Sequence, residues 1–520
     1  MHHRKHGDAA ESMSGKPPTP VRDPPGIKRI SPEKKKHQQR MVLIRNNASN
    51  IHFSLNTVLF AILSLIVFIG FGGFVVTWMA MEVGTVHRIK VDEGNTGSIL
   101  ANLRSKNQYS GDRNDPPFQL VSEEAPECRK LDSPEDITLT LVTQVSHDRL
   151  WMMKHHCERY RNEESPPNAQ HRMSIAVYSN ATLDDIRKEL REMGCGVDHK
   201  YGKPIRPGLN IHQENTKGTY ASVEVSVLDA KTYGAWDNYP VNELRNLALS
   251  KVKTTHILYI DVDFWPSDNL YEMILGTDAD NTDDQNPTTY PNNEEIRKYL
   301  FEDPKLALVI PAFQVWRQCK EWEDCRQDNL PKMEATRNFK GLLREVANVQ
   351  DRSVTVFDPT NRGGHGSTDY KAWFSQAPGS LVDIECLQSN RYEPFLMVRY
   401  CRDLPPFQTA FAGYGKNKIT WIMQLIASGY IFSQVGGTYL VHYPHLDSAS
   451  RKSWNGKLTK TDSPMLKKDS KRGKVDQLFV EFREWLDKTL PSDLRRLELC
   501  DDAQNDDGKL WVETTKPEID

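Results

Sequence analysis

The sequence predicts a mixed α/β domain built on a mostly parallel sheet, and three observations carry that expectation. From Ile137 onward, short β-rich runs alternate with helical patterns. One apolar run, Ile257-Leu258-Tyr259-Ile260, ends directly in two carboxylates, Asp261 and Asp263. Residues 1–50 and 82–133 are by contrast polar, with few or only scattered apolar positions. Strands that alternate with helices pair in parallel, because each crossover helix returns the chain to the same end of the sheet. Ligands then bind at the C-terminal ends of the strands.

The elements follow in order. Ile137 to Val142 is a strand pattern, and Asp148 to Tyr160 has helical spacing. Met173 to Tyr178 is a second strand, followed by a helix from Leu183 to Met193 that Gly194 ends. Val223 to Leu228 is a third strand, Asn242 to Ser250 a helix, and Thr255 to Ile260 the buried strand that runs into Asp261. Two polar stretches, Thr277 to Glu295 and Lys457 to Lys474, read as surface loops, since burial would leave their charges unpaired. No internal repeat is evident.

The N-terminal part has a different character. Residues 1–50 carry eleven Lys or Arg against four acids, although the whole chain of 520 residues has a formal net charge of -3. This segment has too few apolar residues for a core and reads as a disordered basic tail. Between Val58 and Met81 no residue is charged, and the apolar run is long enough to cross a bilayer as a helix. A cleaved signal peptide fits less well, because its apolar region is shorter, nearer the N-terminus and followed by small residues.

With the basic flank on the N-terminal side of the span, the tail is expected to face the cytoplasm and the rest the lumen, as a single-pass type II anchor. That placement accounts for Lys34-Lys35-Lys36 without nucleic acid, which is excluded as a partner. The expected organisation is a tail at 1–50, an anchor at 51–81, a stem at 82–133, a catalytic domain at 134–498 and a polar tail at 499–520.

All eight cysteines follow the apolar segment, where an oxidising lumen would let disulfides persist. Their even number permits full pairing, but eight cysteines allow 105 connectivities. Cys319 and Cys325 are close enough to close a short loop, and no second close Cys or His pair suggests zinc.

Asp261-Val262-Asp263 is the central chemical feature. Two carboxylates at the end of a buried strand can hold a hard divalent cation, which neutralises a departing diphosphate. Helix capping would explain one of the aspartates but not both. A phosphatase whose nucleophilic Asp follows a strand is the other rival, but Trp265 stands where that chemistry has Thr or Val.

Several ordered segments then resemble glycosyltransferase family 49, which includes the glucuronyltransferase domain of LARGE-type enzymes. They are Gln144 to Leu150, Tyr239 to Ala248, Tyr259 to Phe264, Asp369 to Trp373, Arg391 to Phe395, Gly413 to Lys418 and Val441 to His445. The resemblance covers roughly Ile137 to Asn455. It implies a GT-A fold, with a Rossmann-like half for a UDP-sugar and an adjoining half for a glycan or glycoprotein acceptor. It also implies an inverting transfer that yields a β linkage. Asp261 and Asp263 would bind Mn2+ or another divalent cation with the diphosphate, and His442 or His445 would complete the shell.

Arg149 and Arg245 are then candidates for the phosphates, because a guanidinium pairs with them through two parallel donors. Asn242 shares a helix face with Arg245 and is a further nucleotide-binding candidate. For the base that takes the acceptor proton, the acids available in shared motifs are Glu393 and Asp369. A glucuronyl donor would need a cation for its carboxylate, and Arg399 and Lys418 are the candidates.

The chain departs from LARGE-type enzymes in two ways. The stretch from Met81 to Ile137 is too short for their xylosyltransferase domain, and Lys416 stands where they have an aromatic residue. The expected enzyme is a Golgi-resident β-glucuronyltransferase. Another hexosyltransferase of the same fold and an inactive glycan-binding scaffold are the alternatives, and a homo-oligomer is compatible with the sequence.

Overall fold

The computed structural model describes residues 117–160, 171–197, 222–233, 239–276, 293–317, 319, 325–348, 350–454, 470–501 and 503. The basic tail, the apolar segment between Val58 and Met81 and most of the expected stem lie outside them. Among the described residues no helix is long and apolar enough to cross a membrane.

The first strands are β1 (Leu139–Ser146), β2 (Arg172–Ser179), β3 (Gly196–Val197), β4 (Ser222–Asp229), β5 (His256–Tyr259), β6 (Phe264–Pro266), β7 (Leu306–Ile310) and β8 (Ala312–Val315). They are followed by β9 (Val354–Val356), β10 (Leu381–Asp383), β11 (Cys386–Leu387), β12 (Phe395–Arg399), β13 (Ile431–Val435), β14 (Leu440–His442) and β15 (Glu498–Leu499). Among the described residues, a nine-stranded sheet has the order β10-β13-β7-β12-β5-β1-β2-β4-β3. Its β3-β4-β2-β1-β5 half is parallel throughout, as the α/β alternation predicts. Next to β5 the direction reverses, because β12 runs antiparallel to both β5 and β7.

A smaller sheet has the order β6-β14-β8-β9. Three chain segments pass from the large sheet into the small one: β5 into β6, β7 into β8 through Pro311, and β13 into β14. The first of these crossings is Ile260-Asp261-Val262-Asp263. The aspartates therefore sit at the junction of the two sheets. Ile257, Leu258 and Ile260 are fully buried on the way there, and each such side chain contributes about 1.5–3 kcal/mol of burial free energy. A strand anchored so firmly fixes where its polar end emerges.

Several expectations need correction. The helix expected from Asp148 to Tyr160 is a 3-10 segment, His147–Met152, followed by an α-helix, Met153–Arg159. Both polar stretches end in helix: Asn293–Glu302 begins within the first, and Lys471–Thr489, capped by the Ser470 side chain, begins within the second. The remainder of each, 277–292 and 457–469, lies outside the described residues.

Residues 117–133 were assigned to the stem but pack on the domain. Phe118 is buried against Phe411, Phe482 and Trp485, the Ser122 N–H donates to the Arg402 carbonyl, and Cys128 is bonded to Cys401. The other disulfides join Cys157 to Cys195, Cys319 to Cys325 and Cys386 to Cys500, so all eight cysteines are paired.

Candidate functional site

The loop after β5 is held by its backbone. The Phe264 N–H donates to the Asp261 carbonyl at 2.9 Å, and the Tyr443 N–H donates to the Asp263 carbonyl at 2.7 Å. His156, whose pKa burial pushes down to about 4, places Nε2 2.7 Å from the Val262 carbonyl and donates to it. Antiparallel pairing of β6 with β14 sets His442 opposite Phe264, and the chain beyond β14 brings His445 back toward Asp263. His445 Nε2 lies 2.7 Å from Asp263 Oδ2, Arg149 Nη1 lies 3.2 Å from it and His442 Nε2 4.0 Å. Arg149 Nη2 is also 3.3 Å from His445 Nδ1.

Asp263 is buried, which alone would raise its pKa. The His445 hydrogen bond and the charges of His445, His442 and Arg149 outweigh burial and hold the carboxyl well below the ordinary range. His442 moves the other way, down to about 4, because burial disfavours the imidazolium more than Asp263 favours it. A neutral imidazole keeps a lone pair for a metal.

One ligand atom each from Asp263, His442 and His445 lies within 4.8 Å of the other two. One carboxylate and two imidazoles form a donor set that a divalent metal cation can accept. Asp261 stands outside this trio.

Asp261 belongs to an adjacent network. The Tyr259 hydroxyl donates to its Oδ1 at 2.5 Å, Arg245 Nη2 donates to the same oxygen at 3.0 Å, and Lys418 Nζ lies 3.8 Å from Oδ2. Burial would raise the Asp261 carboxyl, but the Arg245 and Lys418 charges win and its pKa is lowered.

Arg245 also donates from Nε to the Tyr259 hydroxyl at 2.6 Å and from Nη1 to Asn242 Oδ1 at 2.9 Å. Its guanidinium lies between the rings of Tyr259 and Phe407, about 5 Å from each. Asn242 in turn donates to the Gln408 carbonyl at 2.7 Å. Arg245 and Asn242, expected at the nucleotide, are both buried, and the bonds described here run to Tyr259, Asp261 and Gln408. Tyr259 was missed, although strand period places it on the same side as Asp261 two residues later.

On the far side of Asp261 lies Gly413 to Lys418. Gly415 has φ 105°, and a Cβ there would come within 2.4 Å of the Trp454 ring, so glycine is required. Lys416 is left-handed with φ 62°, after which the helix Asn417–Ala427 begins. Its first turn carries the buried Lys418 over the face of Phe395, 4.0 Å from the ring centre.

Glu393 precedes β12, with its N–H donated to the Gly364 carbonyl at 2.8 Å. Burial raises its carboxyl, Lys418 and Arg245 oppose that, and Asp261 reinforces it. His365, also missed in the sequence, is buried against Phe357, and burial with the Lys418 charge pushes it down to about 3. Lys418, Glu393 and Asp261 thus share one electrostatic environment.

Two further candidates are placed elsewhere. Asp369 is exposed and caps the short helix Tyr370–Trp373, its carboxylate accepting the Ala372 N–H at 2.9 Å. None of its described hydrogen bonds leads to Asp261 or Asp263. Arg399 pairs with His256 at the start of β5, the opposite end of that strand from Asp261, and hydrogen-bonds the Arg129 carbonyl. The reason is direction: β12 runs antiparallel to β5, so Phe395 is near the site and each later residue is farther away.

The chain is similar to several known proteins. The glycosyltransferase-like protein gnt14 of Dictyostelium discoideum is 26% identical over 385 residues, 72% of this chain and 49% of that protein. Xylosyl- and glucuronyltransferase LARGE1 of Danio rerio is 26% identical over 60% of this chain and 32% of its own length, and LARGE2 of Mus musculus 26% over 61% and 35%. The chain thus spans about half the length of the first relative and about a third of the other two.

Among solved structures, S. aureus TarS 1-349 aligns with 69% of this chain and 82% of its own at 8% identity and a TM-score of 0.27. GalNAc-T7 with UDP, GalNAc and Mn2+ aligns with 76% and 63% at 10% identity and a TM-score of 0.30. Residues 138–472, which contain Asp261, Asp263, Glu393, Lys418, His442 and His445, match the family described as "Glycosyl-transferase for dystroglycan", and the chain belongs to that glycosyltransferase family.

Proposed function

We propose that the chain is an inverting, metal-dependent glycosyltransferase of the GT-A type. In this reading it moves a sugar from a UDP-sugar, best UDP-glucuronate, to a glycan hydroxyl with a β linkage. The observation that carries the proposal is the Asp263, His442 and His445 trio at the sheet junction, in a chain of this family. The glucuronyl donor is supported by the names of the LARGE relatives. Arg399 does not support it, because its register partner His256 lies at the opposite end of β5 from Asp261.

A divalent cation held by Asp263, His442 and His445 would supply Lewis-acid stabilisation of the diphosphate. The chain's own residues do the rest. Arg149, partly exposed beside Asp263, presents a guanidinium to the phosphates. Tyr259 and Arg245 hold the Asp261 carboxylate in one orientation. Glu393 takes the proton of the attacking hydroxyl, with its carboxyl raised toward the pH at which a general base works best. Lys418, between Asp261 and Phe395, balances the acids of the site. The expected setting is the Golgi membrane, with the catalytic domain lumenal.

The test is UDP release by the full-length chain with Mn2+, a panel of UDP-sugars and a panel of glycoside acceptors. UDP-glucuronate should be preferred, EDTA should abolish release, and Glu393→Gln should lower kcat by roughly 10²–10⁴-fold. Preference for UDP-N-acetylglucosamine would overturn the donor, and turnover that persists in EDTA would overturn the metal-dependent mechanism.

A further inference from the structure

β8 and the residue that follows it carry two features that the proposed reaction does not use. Gln314 is buried, at 8% exposure, and its Nε2 has no hydrogen-bond partner among the described residues. Its Oε1 accepts the Asp358 N–H at 3.0 Å, which fixes the amide and leaves the Nε2 donors unused. Two residues on, Trp316 is 45% exposed, the most exposed large hydrophobic side chain among the described residues. Its ring is nevertheless held: Nε1–H donates to Thr355 Oγ1 at 3.0 Å, and its backbone N–H donates to the Ser353 carbonyl at 2.7 Å. The Cys319–Cys325 disulfide clips the chain just beyond it.

Strand register places both features at the site. His442 pairs with Gln314, Phe264 with His442, and Gln314 with Thr355, so these four residues form one cross-strand row on one face of the small sheet. The Trp316 Nε1–H bond to Thr355, which pairs with Gln314, brings the indole to the same face as Gln314. β8 and β14 run in parallel, which puts Trp316 at the edge where β14 leads to His445 and where Asp263 enters β6. β6 and β8 are separated only by β14, so Trp316 stands about two strand spacings, roughly 10 Å, from Asp263. A fixed, exposed indole beside an unused buried donor fits a pyranose ring: the C–H face stacks on the indole and a hydroxyl oxygen accepts from the amide.

We propose that Gln314 and Trp316 form a subsite for a pyranose of the acceptor glycan, beside the metal trio. The proposal rests on the glycosyltransferase reading for its setting, but binding can be measured without turnover. Saturation-transfer NMR of the full-length chain in detergent, with UDP and methyl β-glycosides of xylose, galactose and N-acetylglucosamine, should show one glycoside saturated on one ring face. Trp316→Ala should abolish that signal and Trp316→Phe should retain it. Gln314→Met should weaken it while leaving UDP affinity unchanged.

In transfer assays Trp316→Ala should raise the acceptor KM by roughly 10-fold with the donor KM unaltered, the size expected of one aromatic stack. A glycoside signal that survives in Trp316→Ala overturns the subsite, as does the absence of any signal in the wild type. A rise in donor KM instead assigns the surface to the UDP-sugar and overturns the acceptor role. Failure of the transferase reading is distinct: glycoside binds at Trp316, yet no donor releases UDP.

Discussion

The Tyr259 hydroxyl donates to Asp261 at 2.5 Å while accepting from Arg245 Nε at 2.6 Å, so one phenol links the strand's last buried side chain to the carboxylate that follows it. Removing the hydroxyl leaves a buried guanidinium N–H without its acceptor, which costs about 1–3 kcal/mol. Tyr259→Phe should therefore lower unfolding stability in urea by that amount and reduce transfer activity as well. An unchanged midpoint with unchanged activity would show that the phenol does not hold Asp261.

Arg245→Met removes the positive half of the Arg245–Asp261 pair and leaves the carboxylate with the Tyr259 hydroxyl and the more distant Lys418 charge. Breaking one partner of a buried pair costs about 3–5 kcal/mol. The variant should unfold well before the wild type in a thermal melt. If stability holds and only the UDP affinity falls, Arg245 contacts nucleotide and its assignment to positioning is wrong.

Asp263→Asn removes the charge from the trio at nearly constant volume. Titration calorimetry with Mn2+ should show binding to the wild type and loss of it in the variant, with an unchanged far-ultraviolet circular dichroism spectrum. UDP release should fall by more than about 100-fold, the scale of losing a principal electrostatic contribution to a transition state. Wild-type Mn2+ affinity in the variant would remove Asp263 from the metal site.

Away from the site, burial pushes Glu272 up to about 7 from an ordinary 4.5, with Asp268 adding to the effect. His171 faces it at 3.7 Å but is itself pushed down to about 4. A raised carboxyl means the folded state binds the proton more tightly, so its contribution to stability is full below about 4.5 and is lost as pH rises through about 7. Glu272→Gln should then unfold later than the wild type at pH 8, by about 1–3 kcal/mol, and nearly together with it at pH 5. Equal differences at both pH values would mean that Glu272 does not titrate in this window.

Topology can be read from intact Golgi-enriched vesicles. Protease added outside should remove only the N-terminal tail and spare the disulfide-bonded domain. Digestion of the domain with protection of the tail would reverse the expected orientation.

The sequence by itself determined the α/β alternation and the point where an apolar strand meets Asp261 and Asp263, because both follow from periodicity within a few residues. It also carried the family motifs that mark His442, Lys418 and Glu393. Only the tertiary structure decided how these residues meet. Strand direction is not a local property, and the antiparallel β12 carries Arg399 away from the site while keeping Phe395, Glu393 and Lys418 near it. The inward turn of Arg245 and Asn242 depends on Tyr259, Phe407 and Gln408, partners distributed along the chain. The row from Phe264 through His442 and Gln314 to Thr355, with Trp316 beside it, likewise exists only once three strands leave the large sheet and pair again with β9 in the small one.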